Sequence, residues 1–152
     1  MEFIEFLDRV EIEIIKLVEQ AGYSTEENSQ LCLRSNKYVG FFKRKQKTIV
    51  ICTDNAKKKE GYTLIKNRNT DTFERTARHI KKALRHEAVH VAQDCNDGKL
   101  LDIKKNLSMN PAKMKALKGS KMISGEEEKE RQAYILEDKP KSVKKELEKY
   151  CL

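Results

Sequence analysis

The chain has 152 residues, 38% of them hydrophobic and 37% charged, which bounds it to a single domain over residues 1–152 with a modest core and a heavily charged surface. No apolar run approaches a membrane span, and the start Met1-Glu2-Phe3-Ile4-Glu5 carries acids where a secretory signal carries bases, so a cytoplasmic protein without a membrane partner is expected. The net charge of +8 admits nucleic acid or acidic protein as a partner.

In chain order, residues 2–21 predict one amphipathic helix. Phe3, Leu7, Val10, Ile14 and Leu17 recur at spacings of three and four, and Gly22 suits a helix stop. Residues 30–54 change period. Leu31 and Leu33 alternate with polar residues, and Tyr38-Val39-Gly40-Phe41-Phe42 and Thr48-Ile49-Val50-Ile51-Cys52 read as strands joined by the basic loop 43–47. The apolar run Ile49-Val50-Ile51 predicts a central strand covered on both faces, and Gly40 marks a bulge or a close backbone approach. Residues 54–61 read as a lysine-rich loop, and Tyr62 to Ile65 either as an added edge strand or as part of an insertion. The basic runs at 43–47 and 57–59 are not interleaved with aromatics for base stacking, so they read as solvated turns.

Asp71 and Glu74 resemble a capping box, and nothing breaks the helix from there to Cys95. Ile80, Leu84, Ala88, Val91 and Cys95 form one stripe, with His79, Ala83, His86 and His90 on the stripe beside it. Asn110-Pro111 opens a short helix, and Ser124 with Glu127 forms a capping box for a helix to about residue 137. After Pro140, Val143, Leu147 and Tyr150 predict a last amphipathic helix. Cys32, Cys52, Cys95 and Cys151 show no CxxC spacing and are expected to be reduced, packed thiols.

The chemistry concentrates in His86-Glu87-Ala88-Val89-His90, an HExxH pattern on the long helix. Positions four apart lie on one helical face, so His86 and His90 can aim two imidazoles at one ion. Glu87 stands at the edge of that face, where it can reach a water on the metal. Zinc takes imidazole nitrogen, keeps a coordination position open for water in catalytic sites, and lowers that water's pKa so that a carboxylate can collect its proton.

Such a site needs a third ligand. Asp94 lies about 12 Å along the axis from His86 and His79 about 10 Å, too far for bonds near 2 Å to one ion. Asn96 stands where an HExxHxxGxxH site has its third histidine, and Gln93 replaces the glycine, which disfavours that class. The ligand must come from another element, and the helix after Ser124 carries Glu126, Glu127, Glu128, Glu130, Glu137 and Asp138. Glu130 shares a face with Ala133 and Leu136, so it points inward, and Ala133 lets the helix come close. The first-turn acids suit the helix dipole instead.

His86-Glu87-Ala88-Val89-His90 followed by Glu130-Arg131-Gln132-Ala133 resembles the gluzincin metallopeptidases, whose signature is HExxH with a downstream ExxA glutamate. The flanks Leu84-Arg85 and Val91-Ala92-Gln93 look like those of small gluzincin-like peptidases. The resemblance spans roughly residues 48–138 as an order of elements and implies His86, His90 and Glu130 as ligands of Zn2+, with Glu87 as general base. It implies an α+β, zincin-like fold: a small mixed sheet packed on the active-site helix, further helices at both ends, and an edge strand in the hairpin 38–52 that pairs with a peptide substrate. Within that reading Tyr134 is placed to hydrogen-bond an oxyanion, His79 is a further residue near the site, and Asp94 is placed to orient His90.

Two other functions compete: a basic nucleic-acid-associated protein with a structural metal, and a zincin-fold binding module without turnover. Glu87 argues against both, because a structural site has no need of an uncoordinated base.

Overall fold

The computed structural model describes residues 1–103, 113 and 126–152. In chain order its regular elements are α1 (Arg9–Gln20), β1 (Ser24–Glu27), β2 (Gly40–Lys43), β3 (Thr48–Ile51), α2 (Thr53–Lys59), α3 (Thr70–Cys95), α4 (Glu127–Leu136) and α5 (Pro140–Cys151), with short 3-10 turns at Glu2–Phe6, Gln30–Arg34 and Ile65–Asn67. The architecture is α+β, a three-stranded mixed sheet and helices around the long central α3. No helix among the described residues is long and apolar enough to cross a membrane.

The sheet order is β1-β3-β2, with β1 parallel and β2 antiparallel to β3. As its apolar run requires, β3 is central and covered on both faces. Ile49 and Ile51 join the main core with Ile80, Leu84 and Ala88 of α3, while Val50 faces Cys32 and Cys52 on the other side. Gly40 pairs with Ile51 in unbroken register, so it marks a close approach and no bulge. The basic stretch 44–47 is the hairpin turn between β2 and β3.

Several expected elements differ. The helix over 2–21 is split: Phe3 and Phe6 are buried in a 3-10 turn, Leu7 is extended, and Asp8 restarts the chain through a capping box with Glu11. The strand expected at Leu31 and Leu33 is a 3-10 turn, and the strand present is the polar Ser24–Glu27. Its Glu27 accepts from the backbone N–H of Glu2 and Phe3 and from Thr53 Oγ1, tying the first turn to the sheet. The loop expected over 54–61 is largely α2, whose inner face is Thr53, Asn55 and Ala56. Tyr62 to Ile65 adds no strand. Tyr62 packs against Phe6 and Phe73, and the chain then turns. The cap of α3 is Asn69, in reciprocal bonds with Thr72, two residues before the expected Asp71. The helix expected after Asn110 and the Ser124 cap lie outside the described residues.

The cysteines are not free thiols. Cys32 is bonded to Cys52, and Cys95 to Cys151. This corrects the expectation of reduced cysteines, because pairing needs proximity in space, and the partners are 20 and 56 residues apart in sequence. The second bond staples the C-terminal end of α3 to α5. Cys151→Ser is expected to lower the unfolding free energy by about 2–4 kcal/mol, read as a lower urea midpoint without reductant. A wild-type midpoint in the variant would mean that the bond contributes nothing.

Candidate metal centre

α3 carries the HExxH residues, and α4 is fixed against it by a ladder of buried amides. Gln93 Nε2 donates to Lys129 O and to Gln132 Oε1, both at 3.1 Å. Gln132 in turn exchanges bonds with the backbone of Leu101, at 3.0 and 2.8 Å. Ala133 is fully buried at the same contact, so no side chain props the helices apart. This register turns Glu130 towards the two histidines.

One Glu130 oxygen lies 3.0 Å from His86 Nε2 and the other 3.0 Å from His90 Nε2. His90 Nε2 is buried and has no hydrogen-bond partner among the described residues; the Glu130 oxygen is near it but not aligned. Two imidazole nitrogens and a carboxylate thus converge, with one nitrogen left unsatisfied. Ligand atoms about 2 Å from a tetrahedral ion stand about 3.3 Å apart, close to the spacing here. The donors would suit zinc, which would give Nε2 of His90 the partner it lacks among the described residues.

The outer nitrogens of both rings are held as well. His90 Nδ1 lies 2.8 Å from Gln93 Oε1, and His86 Nδ1 lies 3.3 Å from Glu137 Oε2. Glu137 is itself held by Lys113 Nζ at 2.7 Å, and its backbone carbonyl accepts from Arg85. Arg85 also pairs with Glu11, a fully buried acid of α1, at 2.9 Å. Such outer bonds fix which ring nitrogen faces the ion and how the ring is turned.

The carboxylates set the electrostatics of the two histidines. Burial alone would lower the His86 imidazole, but its bonds to Glu130 and Glu137 outweigh burial and push it up to about 10. Burial would raise Glu130, yet the two histidines hold it below the usual carboxylate range. His86 thus lies between two carboxylates that favour its charged form. Glu87 differs from these groups. It is buried and makes no hydrogen bond or ion pair among the described residues, and burial raises its carboxyl against the opposing pull of His86 and His90. One of its oxygens and one nitrogen from each histidine lie within 4.8 Å of one another.

These groups line a cleft of about 710 Å³, walled on one side by residues 38–42 and on the other by α3 and α4. A Cβ built on Gly40 would sit 3.2 Å from Ala83 Cβ and 3.2 Å from Glu87 Cγ. Gly40→Ala is therefore expected to push Ala83 and Glu87 aside by a few tenths of an ångström, read as a lower urea midpoint than wild type. An unchanged midpoint would show that the contact yields without cost.

The other expected residues are placed as follows. Tyr134 packs its ring edgewise on His86, centroids 4.6 Å apart, and lines the cleft. His79 also lines the cleft, with Nε2 2.8 Å from Glu60 Oε1. Asp94, expected behind His90, turns away: its carboxylate accepts from Tyr23 Oη and, at 2.8 Å, from Arg44 Nε. That place is taken by Gln93. Gln93 and Glu137 were not singled out by sequence, though both had a usable signal. Gln93 is three residues after His90, and Glu137 is seven after Glu130, two turns along the same face.

Among known proteins, no curated protein and no solved structure matches this chain. A family match covers residues 3–152, and the chain accordingly belongs to the family described as Domain of unknown function (DUF8637).

Proposed function

We propose that this protein is a zinc-dependent metallopeptidase of zincin-like fold, in which His86, His90 and Glu130 hold Zn2+ and Glu87 is the general base. The reading is carried by one observation: the two Nε2 atoms each stand 3.0 Å from an oxygen of a single carboxylate, with His90 Nε2 lacking a hydrogen bond among the described residues. A bound zinc ion would supply Lewis acidity towards a scissile carbonyl and acidify a water. Glu87, buried beside the histidines and without a hydrogen bond or ion pair among the described residues, would take the proton and pass it to the leaving amine. β2 lines the cleft and is paired on one side only among the described strands, so in this reading an extended peptide would add to its other side through main-chain bonds. Tyr134 lines the same cleft with its ring against His86, and in this reading its hydroxyl would turn to a developing oxyanion.

The cytoplasmic location expected from the N-terminal residues is not carried into this reading, because paired cysteines are the pattern of an oxidising compartment.

The test is metal analysis of the purified protein together with cleavage of an unfolded protein substrate before chelation, after it, and after zinc is restored. One zinc per chain and cleavage that follows the metal are expected. Absence of zinc binding, or cleavage indifferent to chelation, would sink the proposal.

A further inference from the structure

The cleft is electrically lopsided. At the metal end, Glu130 and Glu87 together offset the charge of a divalent ion. The other acids around the cleft already have cationic partners. Glu137 and Asp138 share Lys113, at 2.7 and 2.8 Å, and Glu126 pairs with Lys129 at 2.7 Å. Lys37, Lys59 and Lys82 also line the cleft, and none of the three makes an ion pair among the described residues. Burial would raise the Asp138 carboxyl, but Lys113 and, after it, Lys82 outweigh this, so Lys82 feels that acid without bonding it.

These lysines come from three separate elements. Lys37 precedes β2, Lys59 ends α2, and Lys82 lies on α3 one turn before His86. Elements that fold independently in sequence thus deliver three unpaired cations to one concavity. Like charges gathered in a cleft cost free energy unless an anion occupies it.

We propose that this end of the cleft binds an acidic stretch of a peptide chain, so that the substrate class is acidic peptide. This rests on the metallopeptidase reading for the direction of the chain through the site. Lys82 stands about 6 Å along the helix axis from His86, and an extended peptide advances about 3.3 Å per residue. The favoured acidic side chain therefore lies about two residues from the bond that is cut.

The test uses the full-length, zinc-loaded protein and three labelled short peptides that differ only in one central pair of residues: Glu-Glu, Gln-Gln or Lys-Lys. Binding is followed by fluorescence anisotropy and cleavage by chromatography. The Glu peptide is expected to bind roughly tenfold tighter than the Gln peptide at low salt, with the gap narrowing as salt is added. In the combined variant Lys37→Ala, Lys59→Ala, Lys82→Ala the ratio should fall to about one. Lys45→Ala, on the exposed hairpin turn outside the cleft, should keep it. Equal binding of the Glu and Gln peptides by wild type, or a gap that survives the triple substitution, overturns the proposal. The two readings separate cleanly. Charge-dependent binding without any cleavage leaves the acidic-peptide site standing and removes the peptidase. Cleavage indifferent to peptide charge does the reverse.

Discussion

Glu87→Gln is expected to reduce peptide cleavage by roughly 10²–10⁴-fold while leaving one zinc bound per chain. The amide keeps the shape of the side chain but cannot accept and return a proton. No hydrogen bond or ion pair is lost, since Glu87 makes none among the described residues. The buried carboxylate is also costly to keep charged, with burial raising its carboxyl, so the amide should be at least as stable as wild type. Loss of cleavage with retained zinc and unchanged or higher melting temperature is the signature of a base. Loss of zinc along with activity would assign Glu87 to the metal's ligands.

The second large effect is on the metal itself. Glu130→Ala removes the carboxylate that faces both Nε2 atoms at 3.0 Å. The zinc affinity should drop by more than the roughly 10–100-fold that removal of an outer hydrogen-bond partner costs. Glu137→Gln, which changes the partner of His86 Nδ1 and of Lys113 but leaves Glu130 in place, should fall within that smaller range. Glu128→Ala, exposed on the same helix, should leave zinc affinity unchanged. Titration against a competing chelator gives all three. If Glu130→Ala binds zinc as wild type does while Glu87→Ala does not, the ligand set is His86, Glu87 and His90, the group that also lies within 4.8 Å.

The centre of the molecule was legible before its periphery. An unbroken run with apolar residues at helical spacing yields α3, and its apolar stripe is buried as drawn: Ile80, Leu84, Ala88 and Val91 are fully enclosed. Glu130 could be reached by helical phase alone, because Ala133 and Leu136 mark the inner face of α4 and both are buried. What escaped the sequence has physical reasons. β1 is Ser-Thr-Glu-Glu, a strand held by parallel pairing to β3 and by Glu27's grip on the first turn, with no apolar residue to announce it. α2 has a single apolar residue facing inward, Ala56, so its period is invisible. The partner of His90 depends on helix register at the end of α3, which sent Asp94 to Tyr23 and Arg44 and Gln93 to the imidazole. The Cys95–Cys151 bond depends on the packing of α5 against α3, and Cys32–Cys52 on the turn Gln30–Arg34 meeting the end of β3, neither of which local spacing encodes.

The Cys95–Cys151 bond has a topological consequence. It closes a covalent ring whose two ends are 56 residues apart, and Glu130 and Glu137 lie inside that ring while His86 and His90 lie just before it. A protease that cuts the chain once anywhere within the ring leaves both pieces on one molecule. The carboxylate that faces the histidines stays tethered to them, and only reduction sets it free.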